Sequence, residues 1–302
     1  MNRTLLILSF FMIAILSSGQ SNMKEYFGFP PPDKQPEIFA PGFISLTNRI
    51  EGRGTFSADG NQFYFTVSDE NFINQKIFYT KLTEKGWSIP DTASFSKDFA
   101  CWEPFYSPDN QRLYFTGNNE SKRNTKNNGQ DFFFTQKVEH AWTQPERLDV
   151  PINSKSTELF FSILNNGNIY FTSERPGGKG ISNIYVAHKQ GNGDYKVQDI
   201  GNKINKGFYN WDPCLASDES FMIFAAAHKF RKNRKADLFI SYNRGNNWSR
   251  PKRLGNHINT NANEYGPFLS LDSKYLFFVR LGDGSQGDIY WIDLDTILKK
   301  KR

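Results

Sequence analysis

Cysteine is nearly absent: only Cys101 and Cys214 occur in 302 residues. A single pair makes no disulfide framework and cannot build a thiolate zinc site; two separate buried thiols are expected, with one bridge as the alternative in an exported chain. The four histidines, His140, His188, His228 and His257, fall in different contexts, with no H-x-x-x-H or H-E-x-x-H spacing. No metal site is therefore expected. A G-x-S-x-G nucleophile elbow, a P-loop and a dinucleotide glycine pattern are all missing, and no cofactor is expected. Stretches with the helical period are scarce.

Long apolar runs are also missing, with one exception. Arg3 is followed by an apolar run from Leu5 to Leu16 and then by Ser17, Ser18 and Gly19. That is the layout of a secretory signal peptide, and no Cys follows it to carry a lipid anchor. The run is about 12 residues long, against the ~20 that a membrane span needs. The expected division is a signal peptide at 1–20, a linker at 21–35, one domain at 36–298 and a basic tail at 299–302. The mature chain would carry no transmembrane segment and work in the periplasm or outside the cell. The formal charge of +6 suits an acidic partner but is far from a nucleic-acid signature.

Aromatic residues, by contrast, make up 16% of the chain. They sit in short runs with β-branched residues, between clusters of Gly, Asn, Asp and Pro, which is an all-β pattern. One phrase occurs five times: GTFSADGNQFYFT (54–66), PFYSPDNQRLYFT (104–116), FFSILNNGNIYFT (160–172), PCLASDESFMIFA (213–225) and PFLSLDSKYLFFV (267–279). Aligned on Asp59, Asp109, Asn165, Asp218 and Asp272, the copies lie 50, 56, 53 and 54 residues apart. Each is followed by a polar loop, a short strand such as KIFYT (76–80) or DFFFT (131–135), an outer segment such as WTQPERL (142–148), and a connector such as PINSKSTE (151–158).

One unit is thus four short strands, A to D, which cannot bury both faces alone. Radial repetition solves that, so the expected fold is a β-propeller of four-stranded blades. The fifth unit lacks its outer W-x-x-P segment, and PEIFAPGFIS (36–45) precedes the first unit. An N-terminal strand is therefore expected to complete the last blade and close the ring. Five blades are expected, with six as the alternative if residues 21–50 hide a further unit.

The motifs S-P-D-x-x-x-L-Y-F (107–115), S-E-R-P-G-G-K-G (173–180) before N-I-Y, and W-x-x-P-x-x-L before I-N carry a resemblance. Over residues 36–293 the chain resembles the TolB-type, WD40-like propeller repeats of exported bacterial proteins. The resemblance implies the propeller and the export, and leaves function open because such propellers serve many roles.

Residues that recur once per blade read as structure. The repeated Asp or Asn suits the A–B hairpin, where its side chain can bond nearby backbone N–H groups. Asp131, Asn183, Asp237 and Asp288 open strand C, and Trp87, Trp142 and Trp248 recur in strand D.

Propeller topology brings the long B–C loops and the D–A connectors to one face, with the A–B turns opposite. The B–C loops carry Lys122, Arg123, Lys126, Arg175, Lys179, Lys229, Arg231, Lys232, Arg234 and Lys235. They suit an anion-binding rim. The connectors carry Arg49, Glu51, Arg53, Phe99, Trp102, Glu103, Glu158, Tyr209, Trp211, Asp212, Glu264 and Tyr265, and are expected to approach the central channel. Aromatics beside carboxylates suit sugar binding, and two carboxylates at the right separation could hydrolyse a glycosidic bond. Yet Glu103 and Asp212 share one repeat register and Glu51 and Glu264 another, which favours a structural or channel-lining role.

The candidate ligand-binding residues are Trp102, Glu103, Arg175, Tyr209, Trp211, Asp212, Arg231, Glu264 and Tyr265, with no catalytic set. Two readings follow. The first is an exported, non-enzymatic binding or scaffold module that recognises a protein or envelope component through its long-loop face. The second is a carbohydrate-active protein, whether binder, glycoside hydrolase or lyase, acting on an acidic polysaccharide.

Overall fold

Each sequence unit folds as one antiparallel sheet whose strands lie in chain order. The structure, a computed structural model, describes residues 26–118, 129–139, 141–206, 209–227, 235–245, 247–282 and 286–298. The expected signal peptide, residues 21–25 of the linker and the basic tail lie outside the described residues.

Blade I has its inner strand at Ile50–Phe56, followed by Gln62–Ser68, Lys76–Thr83 and an outer edge in two pieces, Gly86–Trp87 and Asp91–Thr92. Blade II runs Cys101–Tyr106, Arg112–Asn118 and Gln130–Val138, with outer pieces Ala141–Trp142 and Glu146–Arg147. Blade III comprises Glu158–Ile163, Ile169–Ser173, Asn183–Lys189 and Tyr195–Asp199. Blade IV comprises Tyr209–Leu215, Phe221–Ala227, Ala236–Tyr242 and Lys252–Arg253. Blade V supplies only Asn263–Leu269, Tyr275–Leu281 and Gly287–Asp293 from its own repeat. Its fourth strand is Glu37–Ile38, which pairs antiparallel with the third, Glu37 opposite Trp291 and Ile38 opposite Tyr290. The inner strands touch one another in order, and the fifth touches the first. The fold is a five-bladed propeller closed by an N-terminal strand.

Radial stacking buries both faces of a blade, which explains the continuous apolar runs of the middle strands. Phe63, Phe65, Leu113, Phe115, Phe171, Ile223 and Phe277 are fully buried. The recurrent tryptophans join neighbours. Trp142 of blade II donates from Nε1 to the Tyr64 hydroxyl of blade I at 2.9 Å, and Trp248 of blade IV meets Tyr170 of blade III edge-on.

Two repeated polar devices fix the blade edges. In I-N of the connectors, Asn153, Asn205 and Asn259 each accept from a backbone N–H and donate to the carbonyl of the same residue, namely Phe132, Ile184 and Leu238. In W-[ST]-x-P, the Ser88, Thr143 and Ser249 hydroxyls accept from the backbone N–H groups of Lys81, Gln136 and Tyr242.

The A–B hairpins behave as turns, with one shift of register. The turn residue after Asp59, Asp109, Asp218 and Asp272 has positive φ in each case: Gly60, Asn110, Glu219 and Ser273. In blade III the positive-φ residue is Gly167, and the side chain that caps the turn, bonding the N–H two residues on, belongs to Asn166 rather than Asn165. The reason is that this hairpin closes one residue sooner, Leu164 to Asn168, where blade I closes Ser57 to Gln62.

Candidate functional site

Every inner strand carries a β-bulge at the same height. Pairing with the second strand skips a step between Glu51 and Gly54, Trp102 and Phe105, Leu159 and Phe161, Trp211 and Cys214, and Tyr265 and Phe268. A bulge frees one residue from the ladder and re-aims its side chain. The equivalent bulge residues are Arg53, Glu103, Phe160, Asp212 and Gly266. Four are left-handed, with φ of 59° at Glu103, 48° at Phe160, 54° at Asp212 and 58° at Gly266. For residues with a Cβ this conformation costs energy, and the surrounding structure must impose it.

The bulges interlock the blades. The Glu103 N–H donates to the Thr66 hydroxyl of blade I at 2.8 Å. The Ser162 hydroxyl of blade III donates to the Pro213 carbonyl of blade IV at 2.6 Å. The Gly266 N–H of blade V donates to Asp212 Oδ2 at 2.7 Å. Arg53 of blade I reaches blade III, donating to the Phe161 carbonyl at 3.0 Å and towards Ser162 Oγ at 3.4 Å. Gly266 packs beside it with a positive φ, and a Cβ there would press on Val279 Cγ2 at 3.2 Å.

Arg53, Glu103 and Asp212 retain 2%, 6% and 1% of their exposure. Arg53 Nε, Glu103 Oε2 and Asp212 Oδ1 have no hydrogen-bond partner. Burial, with the Asp212 charge adding to it, pushes the Glu103 carboxyl well above its usual range against the pull of Arg53. Burial raises Asp212 to about 6, while the Gly266 N–H and Arg53 hold it down. Tyr265 is kept protonated by burial and by the same two carboxylates. One guanidinium stands against two buried carboxylates, and burial favours the neutral form of both acids.

The other shared register is a set of clamps. Arg49 pairs with Glu51 at 2.5 Å, Arg175 with Glu158 at 3.3 Å and Arg280 with Glu264 at 3.1 Å. Each guanidinium also lies over two rings: Phe65 and Phe78, Phe171 and Tyr185, Phe278 and Tyr290. Arg175 further donates to the Pro151 and Ile152 carbonyls. Burial, with the Asp288 charge adding to it, still lifts Glu51 to about 7 against the pull of Arg49 and the Leu46 N–H. In blades II and IV an arginine of the outer strand pairs instead with the acid that opens the third strand, Arg147 with Asp131 and Arg253 with Asp237.

The structure therefore brings Glu103 and Asp212 together with Arg53 and Tyr265, and sends Glu264 and Arg175 to separate clamps. Trp102 is buried beside Glu103, and Tyr209 stacks on Trp211 at 5.4 Å. Arg231 lies outside the described residues, as do Lys122, Arg123, Lys126, Lys229, Lys232, Arg234, His140 and His228. Arg53 was visible as a connector residue, but its reach to blade III had no signal in the sequence. Cys101 and Cys214 are separate buried thiols, raised to about 12 and about 11 by burial. Among the described residues, no three His, Cys, Asp or Glu side chains cluster to hold a metal.

Of the cavities among the described residues, two lie on opposite faces of this ring. On the long-loop face, a crevice of about 440 Å³ lies against blade IV. Its rim includes Lys203, Lys206, Lys235 and Arg250, its floor includes Phe224, Phe239 and Ala226, and its one acid, Asp237, is paired with Arg253. On the turn face, a cavity of about 220 Å³ occupies the central channel. This cavity runs from the connector residue Arg53 outward to the A–B turns, and Glu103 and Asp212 do not line it.

No family model matches the sequence, and no curated protein does. Among solved structures, the chain is similar to an α-L-arabinofuranosidase from Lactobacillus brevis, with a TM-score of 0.50 and 14% identity over 82% of this chain and 91% of that one. It is also similar to TolB from Acinetobacter baumannii (TM-score 0.48, 16% identity, 80% of this chain and 54% of that one). A Cellvibrio cellulosa α-L-arabinanase gives a TM-score of 0.49 and 11% identity over 80% of this chain and 91% of that one. At these identities the likeness is one of fold.

Proposed function

We propose that this chain is an exported, non-enzymatic propeller of the TolB-like kind that binds an acidic protein or envelope component through its long-loop face. The observation that carries the reading is the crevice against blade IV. Cations from three segments, Lys203 and Lys206 in a connector, Lys235 before a third strand and Arg250 near the outer edge, stand around an apolar floor. Such a site suits an acidic group attached to an apolar body. Lys206 and Arg250 are exposed.

The hydrolytic alternative has less behind it. Glu103 and Asp212 are buried, interlock blades and line neither cavity described, whereas catalytic carboxylates must reach substrate. Location outside the cytoplasm rests on the leader-like segment at residues 1–20.

Retention of envelope proteins and of immobilised polygalacturonate tests the reading, comparing wild type with a Lys206→Glu/Arg250→Glu double variant. Wild type is expected to retain an acidic ligand at low salt, to lose it at high salt, and to ignore neutral dextran. Equal retention by the charge-reversed protein removes the crevice from the function. Release of reducing ends from any glycan would replace binding with catalysis.

A further inference from the structure

We infer that the crevice against blade IV seats one aromatic side chain of a partner protein, flanked in its own chain by Asp or Glu. The inference rests on the crevice as the binding site, and it narrows the partner from any acidic component to an acidic protein segment with an aromatic anchor.

The repeat shows what the crevice is. In every blade one ring of the second strand lies directly opposite one of the third, as Phe278 lies opposite Tyr290 in blade V. In blades I, III and V a clamp arginine covers this ring pair. In blade II Phe99 covers it edge-on, with ring centres 6.2 Å from Phe115 and 4.9 Å from Phe133. The pair of blade IV, Phe224 and Phe239, has its ring centres 6.1 Å apart, and the crevice opens over it. Among the described residues, no further ring and no guanidinium covers that pair. Two changes in the repeat vacate the seat. Ala226, opposite Asp237, holds the place that Arg280 holds opposite Asp288, and Gly117 holds it in blade II. Asn210 holds the place of the clamp acids Glu51, Glu158 and Glu264, and Cys101 holds it in blade II.

The occupant follows from these changes and from the rim. A guanidinium in this seat would meet no acid at Asn210, Asp237 is held by Arg253, and Lys203, Lys206 and Arg250 would repel it. Blade II, the other blade without the arginine and the glutamate, fills its seat with a ring, and rings favour such edge-on contacts. Phe239 is only half-buried, beside Ala226 and Pro251 in the crevice wall. A ring lodged there would leave the rim cations to acids on either side of it. A buried aromatic anchor within a charged rim is the usual anatomy of a protein hot spot. The volume of about 440 Å³ admits a ring and the backbone that carries it. A uronic-acid polymer brings charge but no aromatic anchor, and an amphiphile with one charge leaves most of the rim unused.

Fluorescence anisotropy with a labelled Asp-Glu-Phe-Glu-Asp peptide, and with the same peptide carrying Ala for Phe, tests the seat. Wild type is expected to bind the phenylalanine peptide at least tenfold more tightly than the alanine peptide at low salt. This comparison needs no variant to fold. Lys206→Glu/Arg250→Glu should weaken both peptides and keep the preference for the ring. Ala226→Arg should erase that preference by setting a guanidinium over Phe224 and Phe239, as Arg280 does in blade V, although its charge alone would strengthen both acidic peptides. Equal binding of the two peptides by wild type overturns the aromatic seat and leaves acidic binding standing. If neither peptide binds, the seat fails, and retention of envelope proteins decides the wider reading separately. Phe208 precedes Asn210 by the same step as Phe99 precedes Cys101. Binding that appears only in Phe208→Ala would mean that the chain fills its own seat, and the proposal fails. Octanoate binding more tightly than the phenylalanine peptide would replace the protein segment with an amphiphile.

Discussion

Glu103 and Asp212 occupy the same place in blades II and IV. Each is the left-handed residue of an inner-strand bulge, and the charge of Asp212 helps keep Glu103 protonated. Glu103→Gln copies the protonated acid and removes the ionisation. It should change stability little at pH 5 and raise the melting temperature at pH 8. The gain should be about 2–4 °C, which is what ~1 kcal/mol amounts to in a domain of this size. Scanning calorimetry at both pH values checks it. A loss at pH 8 would mean that the glutamate works ionised.

The raised acids set a wider pH dependence. Glu51 lies at about 7, Asp212 at about 6, and Glu103 above its usual value. The folded chain holds protons that the unfolded chain releases, so their contribution is complete below the unfolded values, 4.5 for the glutamates and 3.8 for Asp212, and is lost as pH rises through the folded values. At the acid end the sign reverses. Hydrogen bonds from Ser107 and Ser220 hold Asp109 and Asp218 below 3.8, so stability falls as these acids gain protons. Urea unfolding from pH 3 to 9 should therefore show a maximum on the acid side of neutrality. A maximum above pH 8 would contradict the buried-acid reading.

Arg175 and Arg250 look alike in sequence, yet only one is free to meet a ligand. Arg175 clamps Glu158, two carbonyls and two rings. Breaking a buried pair from one side costs about 3–5 kcal/mol, so Arg175→Ala should show that loss in urea titrations. Arg250→Ala should leave stability within about 0.5 kcal/mol, as exposed positions usually do, while weakening the acidic ligand. The reverse pattern would exchange their roles.

The connector asparagines give a cleaner test of blade grammar. Asn205 accepts from the Ile184 N–H at 3.0 Å and donates to the Ile184 carbonyl at 2.8 Å. Asn205→Asp keeps the acceptor and sets a charged oxygen against that carbonyl, so about 2–4 kcal/mol of stability should be lost. Asn205→Ala should cost less than Asn205→Asp, since it adds no charge. Equal tolerance of both would show that the connector docks by other contacts.

The fold was largely legible because it repeats. Each hairpin, each W-[ST]-x-P segment and each I-N pair states the same local rule several times, and five copies outweigh one ambiguous strand. The site was legible only in part. Register placed Glu103 with Asp212, since a repeat fixes height within a blade. It could not show that Arg53 crosses to Phe161, because that contact joins blades I and III and has no counterpart in any repeat. Nor could it separate Arg175 from the exposed cations, because its partners come from a connector and an inner strand. The one-residue shortening at Asn166 escaped because the sequence Asn165-Asn166-Gly167 offers two equivalent caps.

Ring closure rests on a very short strand. Glu37–Ile38 makes two paired positions with blade V, and Phe39 follows with its N–H on the Ile289 carbonyl at 2.7 Å. So few hydrogen bonds cannot hold a ring shut, and the ring is held by what Phe39 buries. Its side chain is fully enclosed, with ring centres 4.9 Å from Phe277, 5.2 Å from Trp291 and 5.8 Å from Phe63. These partners belong to blades V and I, so one side chain fills the seam where the last blade meets the first. Phe39→Ala should cost about 3–5 kcal/mol, as large aromatic truncations in cores do. A truncation beginning at residue 46 would go further, exposing the edge of Gly287–Asp293 to a second chain. Light scattering should find that protein self-associated where the full chain is not. If the truncated protein stays monomeric and as stable as wild type, the N-terminal strand is dispensable and blades V and I close the seam by their own contacts, such as Ile50 with Gly287 and Phe56 with Phe277.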